Sequence, residues 1–255
     1  MDHSIKAVWY DLDEGQTESH LSWLHEIYLP ALLTRPGYLW IAHYQKIFSR
    51  SGDVKPEGLT VTRTNDPSVG AGDTYFLLIG AASPDVFFGQ DEEEFHARQS
   101  NETKEMLSQR IGVRTCVFLE ETRVDGPEIG MRHPGTTPGP IAQLEGFNPR
   151  QFEDEFELAR WYRQHRLPVI TRTPGCIGAR KLVSVAGWAK HGIFYEFTSV
   201  EERRDNFEEK VEWGSHRADA KPVADLPEWS GRHPLEYLIH SPGSAFVGSR
   251  IWPAN

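Results

Sequence analysis

One pattern occurs twice in this chain, 138 positions apart and without a gap. Trp23, Leu29, Pro30, Pro36 and Gly37 return as Trp161, Leu167, Pro168, Pro174 and Gly175, in the segments WLHEIYLPALLTRPG and WYRQHRLPVITRTPG. A fixed offset kept by five residues, with a Pro-Gly stop at the end of each segment, predicts a duplicated module. Fold and site are therefore sought in two related halves, residues 1–125 and 140–255, joined by a Gly- and Pro-rich linker over 126–139.

The first half reads as strand, helix, strand, strand, helix, strand. Ile5 to Leu12 is strand-like, and the helix from Thr17 to Thr34 is stopped by Pro36-Gly37. Tyr38 to Phe48 and Thr74 to Ala82 are rich in aromatic and β-branched residues, separated by a long polar loop over 49–73. A helix over Asp91 to Ser108 and a strand over Val113 to Glu121 close the half. The second half repeats the order: strand Ile141 to Phe147, helix Pro149 to Arg172, strands Cys176 to Val185 and His191 to Ser199, helix Val200 to Trp213 and strand Ala245 to Trp252. Its extra length sits in an insertion over 216–243. The expected fold class is α+β: two tandem ferredoxin-like βαββαβ modules with antiparallel sheets.

At this point the chain resembles the dimeric α/β-barrel superfamily, and within it the EthD-like proteins, whose first helix carries an aromatic, a His, Leu-Pro and Pro-Gly. Trp161, His165, Leu167, Pro168, Pro174 and Gly175 match that pattern; the first half matches all but the His. The resemblance implies a dimeric α/β-barrel. It implies no single activity, because that superfamily includes cyclases, lyases, small monooxygenases, haem proteins and non-enzymatic members.

Composition narrows the function. Thirty-seven acidic against 27 basic residues leave a charge of −10 and no basic patch, which argues against nucleic acid and anionic membranes as partners. No apolar run approaches the roughly 18 residues of a membrane span. The first residues lack a signal-peptide pattern, and Cys116 and Cys176 have no partner at metal-ligand spacing, so a reduced, cytoplasmic protein without a metal is expected. The P-loop, the Gly-x-Gly-x-x-Gly and Gly-x-Ser-x-Gly turns, and His-Glu-x-x-His are all missing.

Candidate site residues follow from periodicity. On a helical wheel of about 100° per residue, Leu158, Trp161, Tyr162, His165 and Val169 form one stripe, and Ile27 takes the place of His165 in the first half. His165 is then either the base of an active pocket or a buried ring bonded to a backbone carbonyl. His25 and Tyr28 lie on a second stripe, which makes the first helix apolar on nearly all sides and predicts a homodimer. Alternation along Tyr38 to Phe48 puts His43 at the polar end of an apolar face, where an imidazole can act as general base or be a satisfied core group. Its second-half counterpart is Lys181, beside Arg180, which could hold an oxyanion. Tyr195 shares a strand face with Ile193 and Phe197.

These residues favour an enzyme that needs no cofactor and moves protons on a small apolar or aromatic molecule, as a lyase, isomerase or cyclase. His165 and His43 are its candidate bases, with Tyr28, Tyr195, Arg180 and His25 assisting. A haem-binding redox protein of the same fold and a non-catalytic binding or assembly module are the alternatives.

Overall fold

The computed structural model describes residues 1–47, 61–133, 135–212 and 229–254. Nine strands are present among them: β1 Ser4–Asp11, β2 Tyr38–Lys46, β3 Tyr75–Ala81, β4 Ile111–Asp125, β5 Ile141–Pro149, β6 Cys176–Gly187, β7 His191–Phe197, β8 Leu238–His240 and β9 Phe246–Trp252. They follow the order β7-β6-β4-β1-β3-β2-β9-β5-β8, and a further β7–β5 pairing closes the sheet. Every named pairing is antiparallel. The result is a closed barrel of eight strands, with the short β8 continuing the edge of β5 beyond β9.

Within the barrel the two halves share one sheet. The first contributes the run β4-β1-β3-β2 and the second β9-β5-β7-β6; β4 pairs with β6 and β2 with β9. Alternate residues point inward, as pleating requires. Trp9, Trp40, Tyr44, Phe76, Phe118, Leu144, Leu182, Phe194 and Phe246 fill the barrel.

The outward-facing residues build two more cores under helices. Helix α1 consists of Thr17–Trp23, a π-helical turn Leu24–Tyr28 and Leu29–Leu33, and it buries Trp23, Leu24, Tyr28, Leu29 and Leu32 against Tyr10, Ile41, Leu77 and Ile79. Helices α2 (Gln90–Ala97) and α3 (Asn101–Ser108) flank that core, where the sequence led us to expect one helix; Ser100 breaks it by capping α3 with its side chain on the Thr103 N–H. Helix α4 consists of Glu153–Trp161, a π-helical turn Tyr162–Arg166 and Leu167–Ile170, and packs on β5, β6 and β7 through Leu158, Trp161, Tyr162, Leu167 and Ile170. Helix α5 runs through Val200–Glu202 and Arg203–Glu212. Among the described residues no helix is long and apolar enough to cross a membrane.

The π-helical turns lie directly before Leu29-Pro30 and Leu167-Pro168. Proline has no N–H to continue an α-helical ladder and crowds the preceding turn, so a widened turn there relieves both. After each helix the chain turns at Gly37 (φ 86°) and Gly175 (φ 76°). A Cβ at Gly175 would stand 2.3 Å from the Glu202 Cβ, and one at Gly37 2.9 Å from Val86. Left-handed backbone and close packing together require glycine at both stops.

The polar loop over 49–73 and the insertion over 216–243 lie partly outside the described residues. The expected linker over 126–139 is part of the packed structure. Its Arg132 is buried, and the Gly139 N–H donates to Glu196 Oε2 at 2.9 Å.

Candidate functional site

Residues Gln143 and Glu145 sit two apart on the outer face of β5, between Ile141 and Phe147, and look towards α4 and α5. Gln143 Nε2 donates to Glu145 Oε1 (2.7 Å) and to Glu212 Oε1 (2.9 Å). Arg203 Nε donates to the Gln143 amide Oε1 (2.8 Å), and its other nitrogens meet Glu208 and, at 3.3 Å, Glu212. Three carboxylates thus gather around one guanidinium and one amide. They border a cavity of about 550 Å³ whose wall also holds Phe147, Trp161, Tyr162, Arg166 and Tyr195.

Electrostatics single out Glu145. Burial, followed by the neighbouring Glu212 charge, pushes its carboxyl up to about 7, against smaller opposing effects of the Gln143 hydrogen bond, Arg166 and Arg203. Glu145 is half-buried and borders the cavity. Burial likewise drives the Tyr162 and Tyr195 phenols upward, keeping both protonated at neutral pH.

The structure redistributes the residues that the sequence singles out. Tyr195 lines this cavity. His165 does not: it is half-buried beside Trp161, ring centroids 6.1 Å apart. The wheel behind its placement assumed about 100° per residue throughout. The π-helical turn Tyr162–Arg166 breaks that phase and brings Arg166 inward, 9% exposed. In α1 the same shift turns Ile27 outward, 60% exposed, and Tyr28 inward. The contrast between the helices is therefore Tyr28 against Arg166, and not Ile27 against His165.

Arg180 is also displaced from its expected role. It points into the barrel, where Asp2 Oδ2 (2.9 Å) and Glu196 Oε1 (3.2 Å) hold it. Arg132 bridges the same two carboxylates at 3.0 Å each, and Trp40 Nε1 donates to Asp2 at 2.8 Å. This cluster plugs one end of the barrel, and its guanidinium at residue 180 is taken up by structure.

His43 and His25 do come together, under α1. The Tyr10 hydroxyl and His43 Nε2 share a hydrogen bond of 2.8 Å, and His43 Nδ1 and His25 Nε2 share another of 2.8 Å. The chain runs from half-buried His25 to fully buried Tyr10, a residue the sequence reading missed. Tyr28 packs nearby, stacked on Trp23 at 5.1 Å. Lys181, the counterpart of His43, contacts His191 Nδ1 at 3.1 Å and Glu121 at 3.3 Å.

A His-ligated haem takes an imidazole nitrogen as its axial ligand. His43 has both of its nitrogens in the relay just described, and His165 stands outside the cavity wall, so neither fits an axial role.

Buried histidines also set a pH response. Burial, aided by Arg110, pulls the His20 ring down to about 4; burial, aided by Lys181, does the same to His191. In the unfolded chain both take up protons near 6.5, so between about 4 and 6.5 the unfolded state binds more protons and stability falls as pH falls. After allowance for solvent screening the loss is about 1 kcal/mol per ring. Urea midpoints of wild type and His20→Gln, measured from pH 7 to 4, should converge on the acid side as the wild type loses its advantage. Parallel curves contradict the assignment.

No protein-family model and no curated protein matches the chain. Among solved structures, an anthrone oxidase-like protein superposes with a TM-score of 0.51 at 10% identity, over 98% of this chain and 92% of that one. A candidate monooxygenase from Lactobacillus acidophilus NCFM gives 0.48 at 8% identity, over 97% and 92% of the two chains. A mutant chlorite dismutase from Candidatus Nitrospira defluvii in complex with cyanide gives 0.43 at 11%, over 97% and 90%. The chain has a barrel of the dimeric α/β type. At these identities the likeness extends to the fold alone.

Proposed function

We propose that the protein is an acid–base enzyme of lyase, isomerase or cyclase type that binds a small, largely apolar, aromatic molecule in the cavity between β5, β7, α4 and α5. The observation that carries this reading is Glu145, a carboxyl raised to about 7 at the wall of a cavity of about 550 Å³. A group that titrates near the working pH can take a proton and return it. Ionised Glu145 would remove a proton from carbon or a phenolic oxygen, hold it as the neutral acid, and deliver it to the rearranged product. The Tyr195 and Tyr162 hydroxyls, kept protonated by burial, would donate to the oxygen on which charge develops. Arg203 fixes Gln143, which in turn orients both Glu145 and Glu212.

The Tyr10–His43–His25 relay supports a second proton path, from a buried phenol to the surface, and keeps His43 and His25 as candidates. The matched π-helical turns and glycine stops support reading the halves as copies of an EthD-like module. Exposed Ile27 and Leu33 on α1 support the homodimer; a monomeric mass by light scattering removes it.

The test is a carbon-13 titration of glutamate carboxyls. One signal should titrate near 7 and vanish in Glu145→Gln. If every glutamate titrates in the ordinary carboxylate range, the assignment of Glu145 as base falls. Transfer of deuterium from solvent into enolisable aromatic ketones, present in wild type and lost in Glu145→Gln, then separates an enzyme from a binding module.

A further inference from the structure

Arg166 is the feature of the cavity that proton transfer by Glu145 does not use. It is buried, yet its Nε and Nη1 donate no hydrogen bond. Of the other cavity guanidiniums, Arg203 is engaged by Gln143, Glu208 and Glu212, and Arg63 Nη2 donates to the Ser244 carbonyl at 2.7 Å. The rings of Trp161 and Phe207 lie 4.8 Å and 5.5 Å from the Arg166 guanidinium carbon. Those rings cover the faces of a cation whose N–H bonds all lie in its own plane; Nε and Nη1 are shut off from solvent, in a side chain that borders the cavity. A buried, charged donor without an acceptor is costly, and an anion entering the cavity would satisfy it.

We infer that Arg166 anchors the carboxylate of a small aromatic acid and so presents the rest of that molecule to Glu145. The planar fork of a guanidinium matches the two oxygens of a carboxylate. Phe147, Trp161, Tyr162 and Tyr195 supply aromatic walls on which a ring can lie. Glu145 and Glu212 stand close enough to affect Arg166 electrostatically, and their repulsion disfavours a dianion such as a phosphate ester. The class selected is an aromatic monocarboxylate. The inference rests on the proposed reading of this cavity as the catalytic one.

Calorimetry with benzoate and with benzamide, its uncharged analogue of similar shape, tests it. Wild type should bind benzoate about 10- to 100-fold more tightly than benzamide. Arg166→Met should bind the two alike, and Arg166→Lys, which keeps the charge and loses the fork, should fall between. Glu145→Gln should bind benzoate at least as tightly as wild type, because a negative charge has gone. Equal affinity for the two compounds in wild type, absence of benzoate binding, or benzoate binding unchanged in Arg166→Met overturns the anchor. Near-UV circular dichroism checks folding; if Arg166→Met does not fold, Arg166→Lys and the benzamide comparison decide. Selective benzoate binding through Arg166 alongside an ordinary Glu145 titration would keep the anchor and remove the acid–base reading. The opposite pattern would keep the base and remove the anchor.

Discussion

Glu145→Gln is expected to lower turnover by about 10²- to 10⁴-fold, the usual contribution of a general base, while making the protein more stable at pH 8. Both effects have one origin. In the unfolded chain this carboxyl titrates near 4.5, and in the folded protein near 7. Between those values the folded state holds a proton that the unfolded state has released, so stability falls as pH rises through the window. Glutamine keeps an oxygen to accept from Gln143 and carries no charge beside Glu212. The variant should therefore gain about 1–3 kcal/mol over wild type at pH 8 and nothing at pH 4. Urea midpoints at the two pH values measure it; a gain that does not depend on pH would mean that Glu145 is not held near neutrality.

The second large effect is expected at the end of the barrel, away from the cavity. Arg180→Met should cost about 3–5 kcal/mol, because it leaves Asp2 and Glu196 buried with one cation fewer. Asp2 depends strongly on this arrangement: burial opposes its charge, and Arg180, Arg132 and Arg123 outweigh burial and hold its carboxyl far below the usual range. Removal of Arg98, whose pair with Glu94 is exposed, should change stability by less than about 0.5 kcal/mol. Thermal midpoints of the two variants make the comparison. Benzoate affinity should be unaltered in folded Arg180→Met, which distinguishes a structural guanidinium from the oxyanion holder that the sequence suggested.

Strands were readable because pleating imposes its period on the residues themselves. Alternation in β2 correctly separates Trp40, Ala42 and Tyr44, inside the barrel, from Ile41 and His43 beneath α1. Gln143 and Glu145 carried the same kind of signal, two polar residues spaced by two on the face shared by Ile141 and Phe147. Helix faces were harder to read, since a π-helical turn leaves no mark in composition and shifts every later residue around the axis. It hid Arg166 and scattered Arg203, Glu208 and Glu212, which the widened winding of α5 brings together. Pairing between halves, β4 with β6 and β2 with β9, depends on contacts more than 50 residues apart in sequence, as in Cys116 with Gly187, and no local pattern encodes it.

The widened turn in α4 also offers a way to retune the cavity without altering any residue at its wall. Deleting one of residues 163–165, none of which borders the cavity, would restore an ordinary helical turn and leave the helix on either side in phase, because the widened turn is what absorbs the extra residue; only the side chains that the turn itself carries would be reset. Insertions and deletions in loops are common routes to new specificity. Here a single-residue length change inside a helix could swap which side chain meets the ligand, so that lineages differing by one residue in this turn would present different chemistry from the same barrel.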